Sequence, residues 1–206
     1  MDDIAAGKVL PVANLTEFFR DALDDALSHQ HVSLDSQSAH YVVNLLTLFA
    51  RAEHSHAELK PGQRWVCLAD LLAAASSAPT RVEREAALQR LGDVSLFVAG
   101  FFAHGFSRRL VDIDYHIAMG GRAYGTLAGT LTRGPRRALG EVFAELARKF
   151  QPVVDALGEI SDSARVWSQH DVLRLYEIWL KTGSRRAHGL LQQLGVTPSP
   201  AQLVSH

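Results

Sequence analysis

The 206-residue sequence predicts an all-α protein, an irregular bundle of seven to nine helices with little or no sheet. Three observations predict this class. Apolar residues recur at spacings of three and four along most of the chain, as on the buried face of a helix. No segment shows the alternation of a half-buried strand. Proline, glycine and serine clusters divide the chain into segments of helical length.

The composition is that of an ordinary globular domain, with 47% apolar and 21% charged residues. A formal net charge of −1 argues against a dedicated nucleic-acid binder. The single cysteine, Cys67, cannot form an intramolecular disulfide and favours a reducing compartment. The acidic start, Met1-Asp2-Asp3, does not match a signal peptide, and no apolar run reaches the ~20 residues of a membrane span. We therefore expect a cytoplasmic protein without a membrane span.

Three parts are expected: a flexible arm over residues 1–13, one helical domain over 14–195, and a polar tail over 196–206. In the first half, Thr80 and Glu83 have the spacing of a capping box, which predicts that a long helix begins there. Its apolar residues wrap around the helix after residue 94, which predicts a central position in the bundle. Four helices are expected here. The first starts at Asn14 or Thr16, the second and third cover about 37–56 and 63–75, and the fourth runs from Thr80 to near Gly105.

The second half is expected to contain a helix from about Asp112 to Leu131 and another after Pro135. Pro152 should kink or split that second helix near Phe150. Further along the chain, the sequence predicts a turn at 161–163, a helix over about 168–181, a short helix to Leu194, and a left-handed cap at Gly195.

Gly121, Gly125 and Gly129 recur every fourth residue and form one bare stripe on the predicted helix. Glycine inside a helix costs about 1 kcal/mol relative to alanine. The stripe therefore suggests that something comes very close to this backbone. Core packing against another helix, a homodimer contact, and a ligand lying over the backbone all fit the pattern.

Two carboxylates and an imidazole lie near the start of the same helix, at Asp112, Asp114 and His116. Such groups can ligate a divalent metal or act as acid and base. Alternatively, one carboxylate caps the helix while Arg108 and Arg109 neutralise the pair. Elsewhere, the Glu-x-x-His pair Glu53 and His56 has the spacing of a di-iron bundle, but the chain has no second such pair. A surface helix end explains that pair as well.

Asn44 and Asp93 interrupt apolar runs, and a buried polar group needs a partner. They predict either a structural hydrogen-bond network or a binding pocket. The expected partners of Asp93 are Arg122, Tyr115, Tyr124 and His40. Arginine clusters at 108–109, 133–137 and 185–186 would hold a phosphate or an acidic partner if they converge.

Three segments, 41–46, 91–97 with 101–102, and 112–120 with 123–124, resemble a bacterial family of uncharacterised all-helical proteins. The resemblance covers roughly residues 35–130 and implies no activity. It emphasises Asn44, Asp93, Asp114, Tyr115, Gly120 and Tyr124.

The sequence contains no phosphate loop, dinucleotide fingerprint or nucleophile elbow. We expect a non-enzymatic binding or adaptor protein that acts through protein contacts as a homo-oligomer, in the simplest case a homodimer. We expect no cofactor, and a divalent metal is the alternative. Trp167, Arg174 and Trp179 would contribute to its partner surface. The alternatives are a metal-dependent helical-bundle enzyme and a small-molecule sensor with a pocket near Asp93 and Tyr124.

Overall fold

The computed structural model describes residues 12–56, 68–101, 113–162 and 169–196, and it confirms the all-α class. These residues form nine helices and no strand. None of the described helices has both the length and the apolar character that crossing a membrane requires. The helices are α1 Val12–His29, α2 Ser36–His56, α3 Leu68–Ser77, α4 Arg81–Phe101, α5 Ile113–Thr130, α6 Arg137–Arg148, α7 Phe150–Asp162, α8 Gln169–Thr182 and α9 Arg185–Gln193.

Helix α4 lies at the centre of the bundle, as predicted, and packs against α3, α5 and α7. Every residue from Ser95 to Gly100 is buried. Because consecutive residues point to all sides of a helix, other elements must surround this half of α4. Around it, α1 packs on α2 and α7, α2 packs on α6, and α9 packs on α7 and α8.

Local sequence signals place several helix ends correctly. The Thr80 hydroxyl accepts from the backbone N–H of Glu83, and the Thr80 N–H donates to the Glu83 carboxylate, both at 3.2 Å. This reciprocal pair is the predicted capping box. The break predicted from Pro152 falls between α6 and α7, with the proline in the first turn of α7, where no intrahelical donor is lost. Gly195 has the left-handed conformation expected of a cap, with φ of 79°.

Two boundaries differ from the prediction. Helix α1 already begins at Val12, inside the expected arm. Helix α7 continues through Asp162, where a turn was expected. Tertiary contacts hold this last turn, because Asp162 accepts from Arg186 at 2.9 Å and the Ser161 hydroxyl donates to the Phe101 carbonyl at 3.2 Å. The rest of the arm, the tail after residue 196, and the predicted helical residues 63–67 and 102–105 lie outside the described residues.

Close helix packing does occur, but at glycines outside the predicted stripe. A Cβ at Gly120 would overlap the Phe150 ring and lie 2.7 Å from the Cβ of Ser95 on α4. A Cβ at Gly92 of α4 would overlap the Tyr124 ring. Both glycines therefore let α4 and α5 approach each other closely. The buried residues of α5 form one face: Ile113, His116, Gly120, Ala123, Tyr124 and Leu127.

The predicted close approach at Gly121, Gly125 and Gly129 is wrong within the chain. A Cβ at Gly121 or Gly125 would have Ala147 of α6 as its neighbour at 3.8 Å, joined for Gly121 by Phe150 of α7 at the same distance, which is ordinary contact. A Cβ at Gly129 would meet nothing within 4 Å. The stripe begins one residue after Gly120, and one helical residue is a rotation of about 100° away from the buried face.

Alanine substitutions should separate these two sets of glycines. We expect Gly129→Ala to raise the free energy of unfolding by up to about 1 kcal/mol, because alanine is the better helix former. We expect Gly120→Ala to lower it by about 1–3 kcal/mol, because the added methyl overlaps packed side chains. Urea denaturation of both variants measures the two changes. A Gly120→Ala variant as stable as the parent would contradict the packing described above.

Candidate functional site

One carboxylate and two phenols form a hydrogen-bonded cluster that joins α2, α4 and α5. Tyr41 donates to Asp93 Oδ1 at 2.7 Å, and Tyr124 donates to the same oxygen at 2.6 Å. The Gln89 amide donates to the Tyr41 hydroxyl at 3.0 Å. We call these four residues the Asp93 cluster. The Phe143 ring of α6 lies against both tyrosines, with centroid separations of 5.4 and 5.2 Å.

The Asp93 carboxylate is unusual because its charge is largely removed from water. Burial raises the pKa of Asp93 to about 6, although the hydrogen bonds from Tyr124 and Tyr41 favour the charged form and oppose this shift. Burial also raises the pKa of both tyrosines, so they remain protonated donors. The cluster therefore holds a carboxylate that changes charge close to neutral pH.

A groove of about 500 Å³ lies beside this cluster, between α2 and α6. Its α2 wall is polar, and its α6 wall is aliphatic. His40 and Asn44 are hydrogen-bonded to each other on the α2 wall at 2.9 Å. Tyr41 belongs both to the groove and to the Asp93 cluster. The lining residues are Ser36, Gln37, His40, Tyr41, Asn44, Leu139 and Val142.

The groove has the size and chemistry of a binding site for an uncharged group. Ligand pockets in proteins typically measure about 300–1,000 Å³ and combine apolar surface with a few polar groups. No lysine, arginine, aspartate or glutamate is among the described residues that line this groove. Apolar contact with α6 and hydrogen bonding to α2 are therefore the interactions it offers.

Three of the predicted binding residues come together here. Asp93 and Tyr124 bond directly, as expected. Asn44 does not reach Asp93 but lines the groove beside Tyr41. Of the two polar residues that interrupt apolar runs, Asp93 thus belongs to the hydrogen-bond network and Asn44 to the groove, and Tyr41 belongs to both features.

The other expected partners of Asp93 were wrong. Arg122 is exposed, and Tyr115 is 39% exposed with its ring beside His116. Helix rotation explains this result, because residues 115 and 122 lie about 180° and 200° around α5 from the inward-facing Tyr124. His40 bonds Asn44 and does not reach Asp93.

Tyr41 and Gln89 are the members of the cluster that sequence reasoning missed as partners of Asp93. Tyr41 is adjacent to His40, and a tyrosine suits a site that is apolar on one side and polar on the other. Gln89 precedes Asp93 by four residues, so the two share a face of α4. These two sequence patterns could have indicated Tyr41 and Gln89 as partners of Asp93.

The predicted metal ligands are not assembled within the described residues, which contain no group of three or more residues that could hold a metal ion. Asp114 is exposed whereas His116 is buried, so the two side chains lie in different surroundings. Asp112 lies outside the described residues, as do the side chains of Glu53 and His56.

The described arginines form separate ion pairs, not one anion site. Arg136 and Arg81 both bond the buried Glu85, at 2.7 and 2.8 Å. Arg186 is itself buried and bonds an aspartate of α7. Residues 108–109 lie outside the described part of the chain. The convergence that would bind a phosphate is therefore not seen among the described arginines.

A second buried carboxylate, Asp155, has a different environment. It accepts from the Ser184 hydroxyl at 2.7 Å and from Gln151 at 2.9 Å. Burial raises the pKa of Asp155, against the effect of these hydrogen bonds and of Arg186. Ser184 also accepts from the backbone N–H of Ala187 and thereby caps α9. Asp155 does not line the groove between α2 and α6, so its role is to attach α9 to α7.

The expected partner surface is described only in part. Trp179 was expected to be exposed, but it is half-buried and packs near Tyr176 and His188, with centroids at 5.6 and 5.9 Å. Trp167 and the side chain of Arg174 lie outside the described residues.

No family model, curated protein or solved structure matches this chain. The resemblance to a bacterial helical family therefore stays a prediction.

The raised pKa of Asp93 makes a specific contribution to stability. Its pKa is about 6 in the folded chain and near 3.8 in the unfolded chain. The folded state therefore binds more protons between these values, and the contribution of Asp93 to stability falls as pH rises through about 6. The shift corresponds to about 3 kcal/mol.

Replacing Asp93 by asparagine should remove this dependence while keeping an acceptor for the phenols. We expect the stability of the parent to fall relative to Asp93→Asn by up to about 3 kcal/mol between pH 4 and pH 7. Urea denaturation of both proteins across this range measures the difference. A difference that does not change with pH would show that Asp93 is not the buried carboxylate described above.

Proposed function

We propose that this chain is a non-enzymatic binding protein whose groove between α2 and α6 accepts a short, uncharged, partly apolar segment of a protein partner. The observation that carries the proposal is the pairing of an aliphatic wall with a wall of neutral polar side chains in one groove of about 500 Å³. Grooves between helices commonly take extended or helical segments of partners.

The two walls suit the two parts of a peptide. Leu139 and Val142 offer an apolar surface, and burying an aliphatic side chain there contributes roughly 1.5–3 kcal/mol before the costs of association. Gln37 and Asn44 carry side-chain amides, each with donors and an acceptor that match a peptide bond. The described lining has no lysine, arginine, aspartate or glutamate, so phosphates and strongly charged segments find no ion-pair partner from these residue types there.

Tyr41 would be the main contact. Tyrosine is enriched among residues that dominate binding energy. Its hydroxyl is already held by Asp93 and Gln89, so its ring loses little further freedom when a partner binds. In this proposal the groove works without a cofactor, because its lining supplies one histidine and no carboxylate.

A small-molecule sensor is the second candidate, and the volume of the groove favours it. A cavity of about 500 Å³ also fits one drug-sized molecule. The same lining would select a neutral compound with an apolar part and an amide-like group. The metal-dependent enzyme is not proposed further, because no group of metal-binding residues supports it among the described residues.

We further propose that the protein acts in the cytoplasm and associates with itself. The single cysteine supports a reducing compartment. Gly125 and Gly129 are exposed and leave the backbone of α5 bare, so a second copy has room to approach there.

Sedimentation velocity tests the self-association. We expect the parent to sediment as a dimer and Gly125→Leu as a monomer with an unchanged circular dichroism spectrum, because the leucine would hold the second copy away. Gly183 lies in the loop between α8 and α9, outside the stripe on α5, and Gly183→Asn provides a control that tolerates the left-handed conformation. A monomeric parent protein would remove the proposal of self-association.

Selection from a displayed library of random 12-residue peptides tests the groove. We expect the selected peptides to be uncharged at their central positions and to carry aliphatic anchors. Leu139→Arg should weaken their binding at least about 10-fold, because it places a charge in the apolar wall at a partly exposed residue, at a cost above 1.4 kcal/mol. Affinity is measured by fluorescence anisotropy of a labelled selected peptide.

The matched control is Leu173→Arg, which adds the same charge on α8 at a residue that is 68% exposed. Peptide binding should survive this substitution. If Leu139→Arg and Leu173→Arg bind the selected peptides equally well, the groove is not the binding site.

A further inference from the structure

We propose that the charge on Asp93 holds Tyr41 in place in the groove, so that proton uptake by this buried carboxylate loosens the groove lining and weakens binding. The proposal rests on the proposed function for what the groove binds. The connection between Asp93 and Tyr41 can be tested without a ligand.

The geometry makes Tyr41 the link between the two features. Its ring lines the groove, while its hydroxyl donates to Asp93 Oδ1 at 2.7 Å. No other residue of the Asp93 cluster is among the groove-lining residues. A change at Asp93 therefore reaches the groove through this tyrosine.

The charged form of Asp93 depends on Tyr41 more than the neutral form does. Among the described residues, the only donors to the carboxylate are the hydroxyls of Tyr41 and Tyr124. A hydrogen bond to a charged oxygen is roughly twice as strong as one between neutral groups. Once the carboxyl is protonated, the bond from Tyr41 becomes a weaker bond between neutral groups, and the Tyr41 hydroxyl still accepts from Gln89.

The Asp93 carboxyl titrates close to neutral pH. Burial raises the pKa of Asp93 to about 6, so modest acidification near neutral pH changes its charge. Tyr41 and Tyr124 do not titrate in this range, because burial raises the pKa of each.

The surroundings of Asp93 contain few other titratable groups. From α2 it meets Tyr41, and from α5 it meets Tyr124. Helix α6 presents the uncharged Phe143 to both tyrosines. The neighbouring helices α3 and α7 place their carboxylates elsewhere, since Asp70 of α3 is exposed and Asp155 of α7 bonds Ser184.

On the same wall as Tyr41, His40 bonds Asn44. Histidine is the other side chain that commonly changes charge near neutral pH. Any test must therefore separate His40 from Asp93.

Nuclear magnetic resonance can follow both groups in the whole protein. The Asp93 carboxyl carbon reports its own protonation between pH 4.5 and 8. The ring protons of Tyr41, assigned with Tyr41→Phe, report exposure through relaxation by a neutral gadolinium chelate. We expect the exposure of the Tyr41 ring to increase on acidification with the same midpoint as the Asp93 carboxyl.

Three variants separate the explanations. In Asp93→Asn, Tyr41 should show one constant exposure, because the titrating charge is gone. In His40→Gln and Asp155→Asn, the midpoint should be that of the parent. Tyr41 exposure that does not vary with pH in the parent, or a midpoint that survives Asp93→Asn, would overturn the proposal. The parent measurement decides the matter even if a variant fails to fold.

A neutral capped dipeptide, N-acetyl-leucyl-leucinamide, tests the consequence for binding. We expect its dissociation constant, measured from chemical shifts of groove residues, to be about 5-fold higher at pH 5 than at pH 8, the difference between a charge-assisted and a neutral hydrogen bond. Equal affinity at both pH values would overturn the effect on binding. If the dipeptide shifts no groove residue at either pH while Tyr41 follows Asp93, the proposed function fails and the link between Asp93 and Tyr41 stands.

Discussion

The close crossing of α4 and α5 is the constraint on which the rest of the described structure depends. Gly92 leaves room for the Tyr124 ring against α4, and Gly120 leaves room for Ser95 and Phe150 against α5. This packing brings the Tyr124 hydroxyl to Asp93, the residue that follows Gly92. Without the two bare backbone positions, the carboxylate would lose one of its two donors, and a buried charge without donors is very costly.

The Asp93 cluster combines structural and chemical roles. It connects α2 to the α4–α5 pair through Tyr41, and it leaves the ring of that tyrosine facing the groove. Burial and hydrogen bonding act in opposite directions on the carboxylate, and burial is the larger effect. A wholly apolar cluster would pack the same helices without this cost.

The sequence predicted the features that local chemistry determines. Thr80 and Glu83 satisfy each other's backbone groups wherever the helix lies, and Pro152 cannot donate the backbone hydrogen bond that a helix interior requires. The sequence did not predict which face of α5 is buried. Gly120 and Gly121 differ only in their direction around the helix, and the regular spacing from Gly121 pointed to the wrong face. For the same reason His40 was expected to contact Asp93 in place of its neighbour Tyr41, since neighbouring residues differ by about 100° around a helix.

The attachment of α9 has a consequence for local opening of the bundle. Its buried Arg186 lies across Gly158 and bonds Asp162, while Ser184 bonds Asp155. Both aspartates belong to α7, so these polar contacts hold only while that helix is formed. We therefore expect local unfolding of α7 to release α9 as well, so that the two helices open as one unit.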